Sequence, residues 1–315
     1  MNRLNVTFSA LLLLMAMACT GNKGAGSQGE TASEDSAAMQ VSDTLVFEDV
    51  NMVDSMSYKI KVVDYGSEEE PAPYTLETVT DYYKLSTLKA VAGKPEVVEF
   101  INQWLTISAA REPMEESVTA ENVAKRYAKL KQDGITDVRS AFKVASGGYL
   151  GENAAEDEED EDGMLGMGFA SANEWEAAVD VRWQTPTLLT LWKNGYDYSA
   201  GAAHGMPWEF GMTFDLKNLR LLTYDDILLK DSHEAVLKMV VEQLVDEYAE
   251  SEMMNEPEDI DLPDCDPALV AEGVSFDYGA YEIGAYAMGM PGVIIPYEKI
   301  KPYLTKEVMV LLGLE

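Results

Sequence analysis

The sequence predicts an α+β protein in which antiparallel sheets pack with helices, arranged as two α+β subdomains. Three observations predict it. Trp175–Trp183 is apolar at odd positions and mostly polar at even ones, and Trp208–Leu216 carries the same alternation on its even positions. Strand side chains point alternately to opposite faces, so each segment buries one face and wets the other. Elsewhere the apolar residues recur at helical spacing, as in Val97, Val98, Ile101, Trp104 and Leu105, and again in Leu237, Val240, Val241, Leu244, Val245 and Tyr248. Finally, strand-like and helix-like stretches occur in both halves, on either side of an acidic tract at Glu156–Asp162.

Residues 1–18 read as a signal peptide. Asn2-Arg3 supplies a short positive region, and Val6–Met17 is an apolar run too short to span a bilayer. It ends in Ala16-Met17-Ala18-Cys19, which resembles a bacterial lipobox with Ala16 in place of the usual leucine, so Cys19 is the expected lipidation site. An ordinary secretory signal with an incidental cysteine is the alternative. Residues 19–40 are expected to be a flexible tether, rich in Gly and Ser at Gly21–Gly29, that would hold a domain away from a membrane. The only other cysteine, Cys265, lies in Asp264-Cys265-Asp266, where carboxylates disfavour a thiolate, so it reads as inert.

The first domain is expected over 41–150. Thr44–Phe47 and Tyr58–Tyr65 read as strands, the second with Tyr58, Ile60 and Val62 on one face, and Tyr74–Tyr83 as extended chain. Gly93-Lys94-Pro95 opens a helix, with proline suited to the first helical position. Thr119 caps another, whose inward residues are Val123, Tyr127 and Leu130 and whose stop is Gly134. Arg139–Val144 reads as a short strand. Over 151–170 an acidic loop is expected. Placing Gly163 at the sixth position of a calcium-binding loop puts Phe169 where the bidentate glutamate belongs, so that pattern fails. Clustered carboxylates repel one another and favour a solvated loop.

The second domain is expected over 171–315. Trp175–Trp183 leads into Thr187–Lys193, and Asn194-Gly195 is a turn dipeptide. The small-residue turn Tyr198–Gly205 precedes Trp208–Leu216, with a reversal at Lys217-Asn218. Tyr224–Ile227 reads as a turn of helix, and Asp231 with Glu234 as a capping box for the next helix. An acidic loop follows at Glu252–Pro267, then a strand at Val274–Tyr278. Gly279–Gly292 is an extended Gly/Ala/Tyr segment, Val293–Ile295 the last strand, and Tyr297–Leu304 and Thr305–Leu312 short helices, with Gly313 as the final stop.

Composition bounds the function. At 315 residues there is room for one large or two ordinary domains, and 47% hydrophobic residues suffice for a core. A net charge of −33 argues against nucleic acid and anionic lipid as partners and would draw basic proteins in, although acidity also serves solubility alone. With only His204 and His233, conventional catalysis has few bases to use. The sequence has no nucleophile elbow, zinc helix or phosphate-cradling glycine loop, so no cofactor, metal ligand or catalytic residue is assigned and an enzyme is the less favoured reading. His233, in the first turn of a helix, reads as a surface residue. His204 follows a run of small residues, and a structural bond to a backbone carbonyl is favoured over a catalytic role. Among the aromatic residues able to stack on a sugar (Trp183, Trp192, Trp208, Tyr281, Tyr286), Trp183 and Trp208 fall on apolar strand faces. Tyr198, Tyr281 and Tyr286 lie in Gly-rich stretches and make a candidate contact surface with Gly201 and His204.

Two stretches carry a family resemblance. Tyr198-Ser199-Ala200-Gly201-Ala202-Ala203-His204-Gly205 is followed by Phe214-Asp215-Leu216 and Leu222–Ile227. Further on, Tyr281-Glu282-Ile283-Gly284-Ala285-Tyr286-Ala287-Met288-Gly289 precedes Val293–Tyr297. In order and spacing over roughly 171–304, this resembles the C-terminal domain shared by lysozyme-sensing anti-sigma factors of the RsiV type and peptidoglycan deacetylases of the PdaC type. Ala202 stands where that family has its second glycine, and Ala285 where it often has proline. The resemblance implies an α+β envelope domain that binds without catalysing, with a basic muramidase of the lysozyme type or peptidoglycan as partner. A lipidated Cys19 would hold the chain at the cell envelope, at the outer membrane and facing periplasm or surface. The alternatives are a cell-wall-directed hydrolase with an unconventional site near His204, and a purely structural envelope lipoprotein.

Overall fold

The computed structural model describes residues 44–63, 73–111, 114, 117–156, 172–248 and 255–315. Cys19, the tether and the acidic tract beyond Glu156 lie outside these. Among the described residues, no helix is long and apolar enough to cross a membrane.

Two long strands, β1 (Val46–Val63) and β2 (Tyr74–Ala92), form an antiparallel hairpin. The two strands expected at Thr44–Phe47 and Tyr58–Tyr65 are thus one continuous strand. Its buried Val50 and Met52 prolong the alternation that Tyr58, Ile60 and Val62 carry further along. Next come α1 (Pro95–Ala109), α2 (Ala120–Gln132) and α3 (Val138–Glu156). Pro95 opens α1 as expected, Thr119 Oγ1 accepts from the Asn122 amide at 3.3 Å to cap α2, and Gly134 takes a left-handed φ of 81° beyond it.

The strand expected at Arg139–Val144 is corrected to the first turns of α3. Asp137 Oδ1 accepts from the Ser140 amide at 2.8 Å, a cap that holds the Asp137 carboxyl below its ordinary range. Val138, Ala141, Phe142 and Leu150 then bury one helical face. A six-residue window in which Phe142 and Val144 stand two apart concealed that period.

After α3 come β3 (Glu174–Gln184), β4 (Leu188–Tyr198), β5 (Met206–Asp215) and β6 (Arg220–Leu221). With β1 and β2 they make one six-stranded sheet in sequence order. All neighbours are antiparallel except β2 and β3, which run parallel, so this sheet is mixed. The turn expected at Asn194-Gly195 is corrected to mid-strand β4. A Cβ on Gly195 would overlap the Trp208 indole and the Glu176 carbonyl, so this glycine makes room for a tryptophan rather than a reversal.

Helices α1–α3 cover one face of the sheet. There Phe214 meets Trp104 and Phe100 edge-on, at 5.0 Å and 6.0 Å between centroids, and Tyr83 stacks on Trp175 at 4.2 Å. The opposite face, at its β4–β5 end, receives a three-stranded antiparallel sheet of β7 (Ala268–Leu269), β8 (Gly273–Asp277) and β9 (Gly292–Pro296). Thr190 Oγ1 donates to the Leu269 carbonyl at 2.5 Å, and the Leu269 amide to Thr213 Oγ1 at 2.8 Å. Around this second sheet pack α4 (Tyr224–Ile227), α5 (His233–Tyr248), α6 (Tyr297–Ile300) and α7 (Lys306–Leu312).

Helix α5 starts through a 3-10 turn at Lys230–Ser232, and its buried stripe is Val236, Val240 and Leu244, rotated from the one expected. The Asp226 carboxylate accepts from the Thr223 amide at 3.0 Å, so a capping box forms at α4. His233 is half-buried against Tyr224, not a surface residue. Gly313 ends α7 with a φ of 67°, as expected.

Candidate functional site

The turn between β4 and β5 meets the loop between β8 and β9, and two stretches far apart in sequence become one surface. That second stretch is not extended, as its composition suggested. It turns back through the Glu282 carboxylate, which accepts from the Gly279 amide at 2.6 Å and the Asp264 amide at 2.8 Å. Ile283 is buried beneath it, and a 3-10 turn follows at Tyr286–Met288. Tyr281 sits at a φ of 71°, a left-handed conformation uncommon for a bulky residue, and is 52% exposed.

His204 is the hub. Its ring stacks on Tyr286 at 3.9 Å and 24°, and Tyr281 lies 5.4 Å from Tyr286. His204 Nδ1 is 3.0 Å from the Gly205 carbonyl, which can only accept, so Nδ1 carries the proton. In the tautomer that carries this proton alone, Nε2 accepts from the Tyr281 hydroxyl at 2.9 Å. To act as a base, Nε2 would first have to lose Tyr281. Tyr286 donates to the same Gly205 carbonyl at 2.8 Å.

The turn itself is tied down by phenols and an amide. The Gly205 amide donates to Tyr196 Oη at 3.2 Å, and a Cβ on Gly205 would overlap the Tyr196 ring. Tyr198 donates to the Ala202 carbonyl at 3.2 Å, and the Ala200 amide to Asn173 Oδ1 at 2.7 Å. Asn173 is anchored in turn by the buried Asp81, whose carboxylate accepts its amide at 2.8 Å and its Nδ2 at 3.0 Å. Gly201 has a φ of 82° with open space about it, so the turn needs its backbone freedom and not its size. Besides the extra residue between Tyr198 and Gly201, two alanines depart from the family pattern, and neither disturbs this geometry. Ala202 has no positive φ, and Ala285 lies at φ −70°, a value that proline also takes.

The structure therefore brings His204, Tyr281 and Tyr286 into contact and holds Tyr198 and Gly201 in the turn beside them. Tyr196 and Asn173 were missed. The signal for Tyr196 was its position two residues before Tyr198, hence on the same strand face. From Tyr196 a depression of about 350 Å³ extends over the sheet, lined also by Lys84, Ser86, Glu176 and Asn194. Lys84 pairs there with Glu174, whose hydrogen bond is the main cause that raises the lysine above its usual range. Trp208 packs against the cluster under α1–α3, as its alternation implied, whereas a bulge between Val181 and Trp183 turns Trp183 to the second cluster, away from the face of Trp175, Ala177 and Val179.

Among the described residues, no group of three or more His, Cys, Asp or Glu is placed to hold a metal. Cys265 is a free thiol pushed above its usual range, chiefly by burial and then by Glu282, Asp277, Asp264 and Asp266. The carboxylates were legible in the sequence, and the burial was not.

No family model and no curated protein matches the chain. Its fold is similar to a crystal structure of a DUF3298 family member from Bacteroides fragilis, 23% identical over 84% of this chain and 97% of that one, with a TM-score of 0.50. A DUF3298 protein from Pseudomonas aeruginosa aligns over 82% of this chain and 96% of its own at 17% identity and a TM-score of 0.40. DUF3298 is the domain found in RsiV- and PdaC-type proteins, so the resemblance carried by Tyr198–Gly205 and Tyr281–Gly289 is upheld as one of fold.

Proposed function

We propose that the chain is a lipid-anchored protein of the cell envelope, held through Cys19, that binds a basic muramidase of the lysozyme type or peptidoglycan without catalysing a reaction. The observation that carries this reading is the group formed by exposed His204 and Tyr281 with the half-buried Tyr286. Aromatic rings with polar tips make good contact surface at low entropic cost. Both ring nitrogens of His204 are already engaged, which suits a shaped surface better than a general base. The net charge of −33 favours the muramidase over the anionic wall polymer, because it would steer a basic protein towards the chain.

Titration of hen lysozyme against the mature chain at 20 mM and 300 mM salt tests the proposal. Binding at low salt, weakened at high salt and lost in Tyr281→Ser, is expected. Absence of binding at low salt sinks the muramidase version, and a pull-down with purified sacculi then decides for or against peptidoglycan.

A further inference from the structure

The two edges of the large sheet are treated differently. β6 is two residues long, and the chain before α2 lies against it: the Leu221 amide donates to the Val118 carbonyl at 2.9 Å, and Thr119 bridges Arg220. β1 is the other edge. It is 18 residues long, and among the described residues no strand pairs with its outer side. An unpaired edge offers a row of amides and carbonyls to any extended chain, and proteins ordinarily blunt it with a bulge, a proline or a short strand. β1 has a register shift at Val46/Phe47, and from there to Val63 it runs on without another irregularity or a proline. At its middle, Val53 is 66% exposed and Met56 37%, and the Ser55 amide donates to the exposed side of its neighbour, Asp54 Oδ1, at 2.9 Å.

Lysines also guard an edge, and β1 has Lys59 and Lys61, but its charges are sorted by sign. Glu48, Asp49 and Asp54 occupy the first half, and both lysines the second. A strand so ordered is complementary to its own antiparallel copy, because opposite charges across a strand pair attract and like charges repel. With Ser55 facing Ser55 across a two-fold axis, Asp49 stands opposite Lys61 and Asn51 opposite Lys59 on one face. On the other face, where Ser146 of α3 donates to Asp54, Val50 stands opposite Ile60 and Met52 opposite Tyr58. The neighbouring registers that keep the faces matched are poorer. An axis at Asp54 sets two carboxylates against each other, and one at Met56 leaves Asp49 opposite Val63. A net charge of −33 otherwise repels a second copy, so a strand that carries both signs is where approach is least opposed.

We propose that two copies of the chain associate through β1, antiparallel about Ser55, to form one sheet continuous across both. The contact is isologous, each Asp49 meeting the other copy's Lys61. It is independent of the muramidase reading, because β2 and β3 separate β1 from β4.

Sedimentation of the full chain and of Asp49→Lys and Lys61→Glu, singly and as an equimolar mixture over about 1–100 μM, tests it. The wild type should form dimers. Each variant alone sets like charges opposite each other twice, and its dissociation constant should rise by about tenfold or more. The mixture should return to within about threefold of the wild type, since each variant then meets the opposite charge of the other. Both side chains are exposed, so melting temperatures should match the wild type. If either variant melts early, Asn51→Lys mixed with Lys59→Glu makes the same exchange one pair nearer the axis. A wild type that stays monomeric throughout would overturn the proposal. So would dimers that both variants leave unchanged, which would place the contact elsewhere. A mixture no better than its parts would overturn the antiparallel register.

Discussion

At its root, the β4–β5 hairpin is packed on both faces: Leu189, Leu191 and Phe214 against α1, and Thr190 and Thr213 against β7, each no more than 1% exposed. At its tip the same two strands open into Ser199–Gly205, where His204 is exposed and the backbone is held by phenols from Tyr196, Tyr198 and Tyr286. The root is stabilised by apolar area removed from water, which is large and insensitive to any single hydrogen bond. At the tip, separate bonds each contribute about 1 kcal/mol net. One hairpin thus offers a rigid base and an adjustable end, a division that the proposed binding role would use.

The largest expected effect lies at the root. Phe214→Ala removes a fully buried ring from between Trp104 and Phe100 and should cost about 3–5 kcal/mol in urea unfolding. A loss below about 1 kcal/mol would mean that the root is not the stable end, and the comparison would fail.

Glycines at the two ends sharpen it. Gly195→Ala would drive a methyl into Trp208 within the sheet, and should destabilise the whole fold by about 1–3 kcal/mol. Gly205→Ala would push against the Tyr196 ring at the tip, where the turn can move. It should leave global stability within about 1 kcal/mol and speed amide exchange in residues 199–205. Equal losses of global stability in the two variants would erase the distinction between root and tip.

This division also explains what could be read from the sequence. Trp175–Val179 was legible because burial on one face imposes a period of two. So were Pro95, Thr119 and Gly313, whose local geometry restricts the residue type. The odd positions of Trp208–Leu216 read as wet, yet Gly211, Thr213 and Asp215 are buried, because the second sheet covers the root on that side. Arg139–Val144 misled because six residues are too few to separate the periods of helix and strand. Asn194-Gly195 misled because a glycine required by a tryptophan on the neighbouring strand looks the same as one required by a turn. Site residues were legible as residue types in two Gly-rich stretches. Their meeting was not, because the contact between His204 and Tyr281 joins positions 77 residues apart.

A titration separates the second sheet from the tip. Burial pushes the Asp277 carboxyl on β8 up to about 6, with Glu209 adding to the rise while Ser275 and Arg182 oppose it. The folded pKa is above the unfolded value of about 3.9, so the folded state binds more protons between these limits. The contribution of Asp277 to stability is therefore most favourable below pH about 4 and declines as pH rises to about 6. Asp277→Asn should remove that slope and stabilise the chain at pH 7 by about 1–2 kcal/mol. Parallel curves of stability against pH for variant and wild type would contradict it, and this change should leave amide exchange at the tip unaltered.

The smallest expected effect is the most telling for the candidate surface. Tyr286→Phe keeps the ring that stacks on His204 and deletes only the donor to the Gly205 carbonyl. That carbonyl keeps His204 Nδ1, so the loss should be about 0.5–1.5 kcal/mol of local stability. Amide exchange should quicken at residues 203–205, with no change at Thr190 or Thr213. If exchange at the root quickens too, tip and root open together and the adjustable end does not exist. If neither changes, the stacked ring alone holds His204, and the phenol is left free to reach a partner.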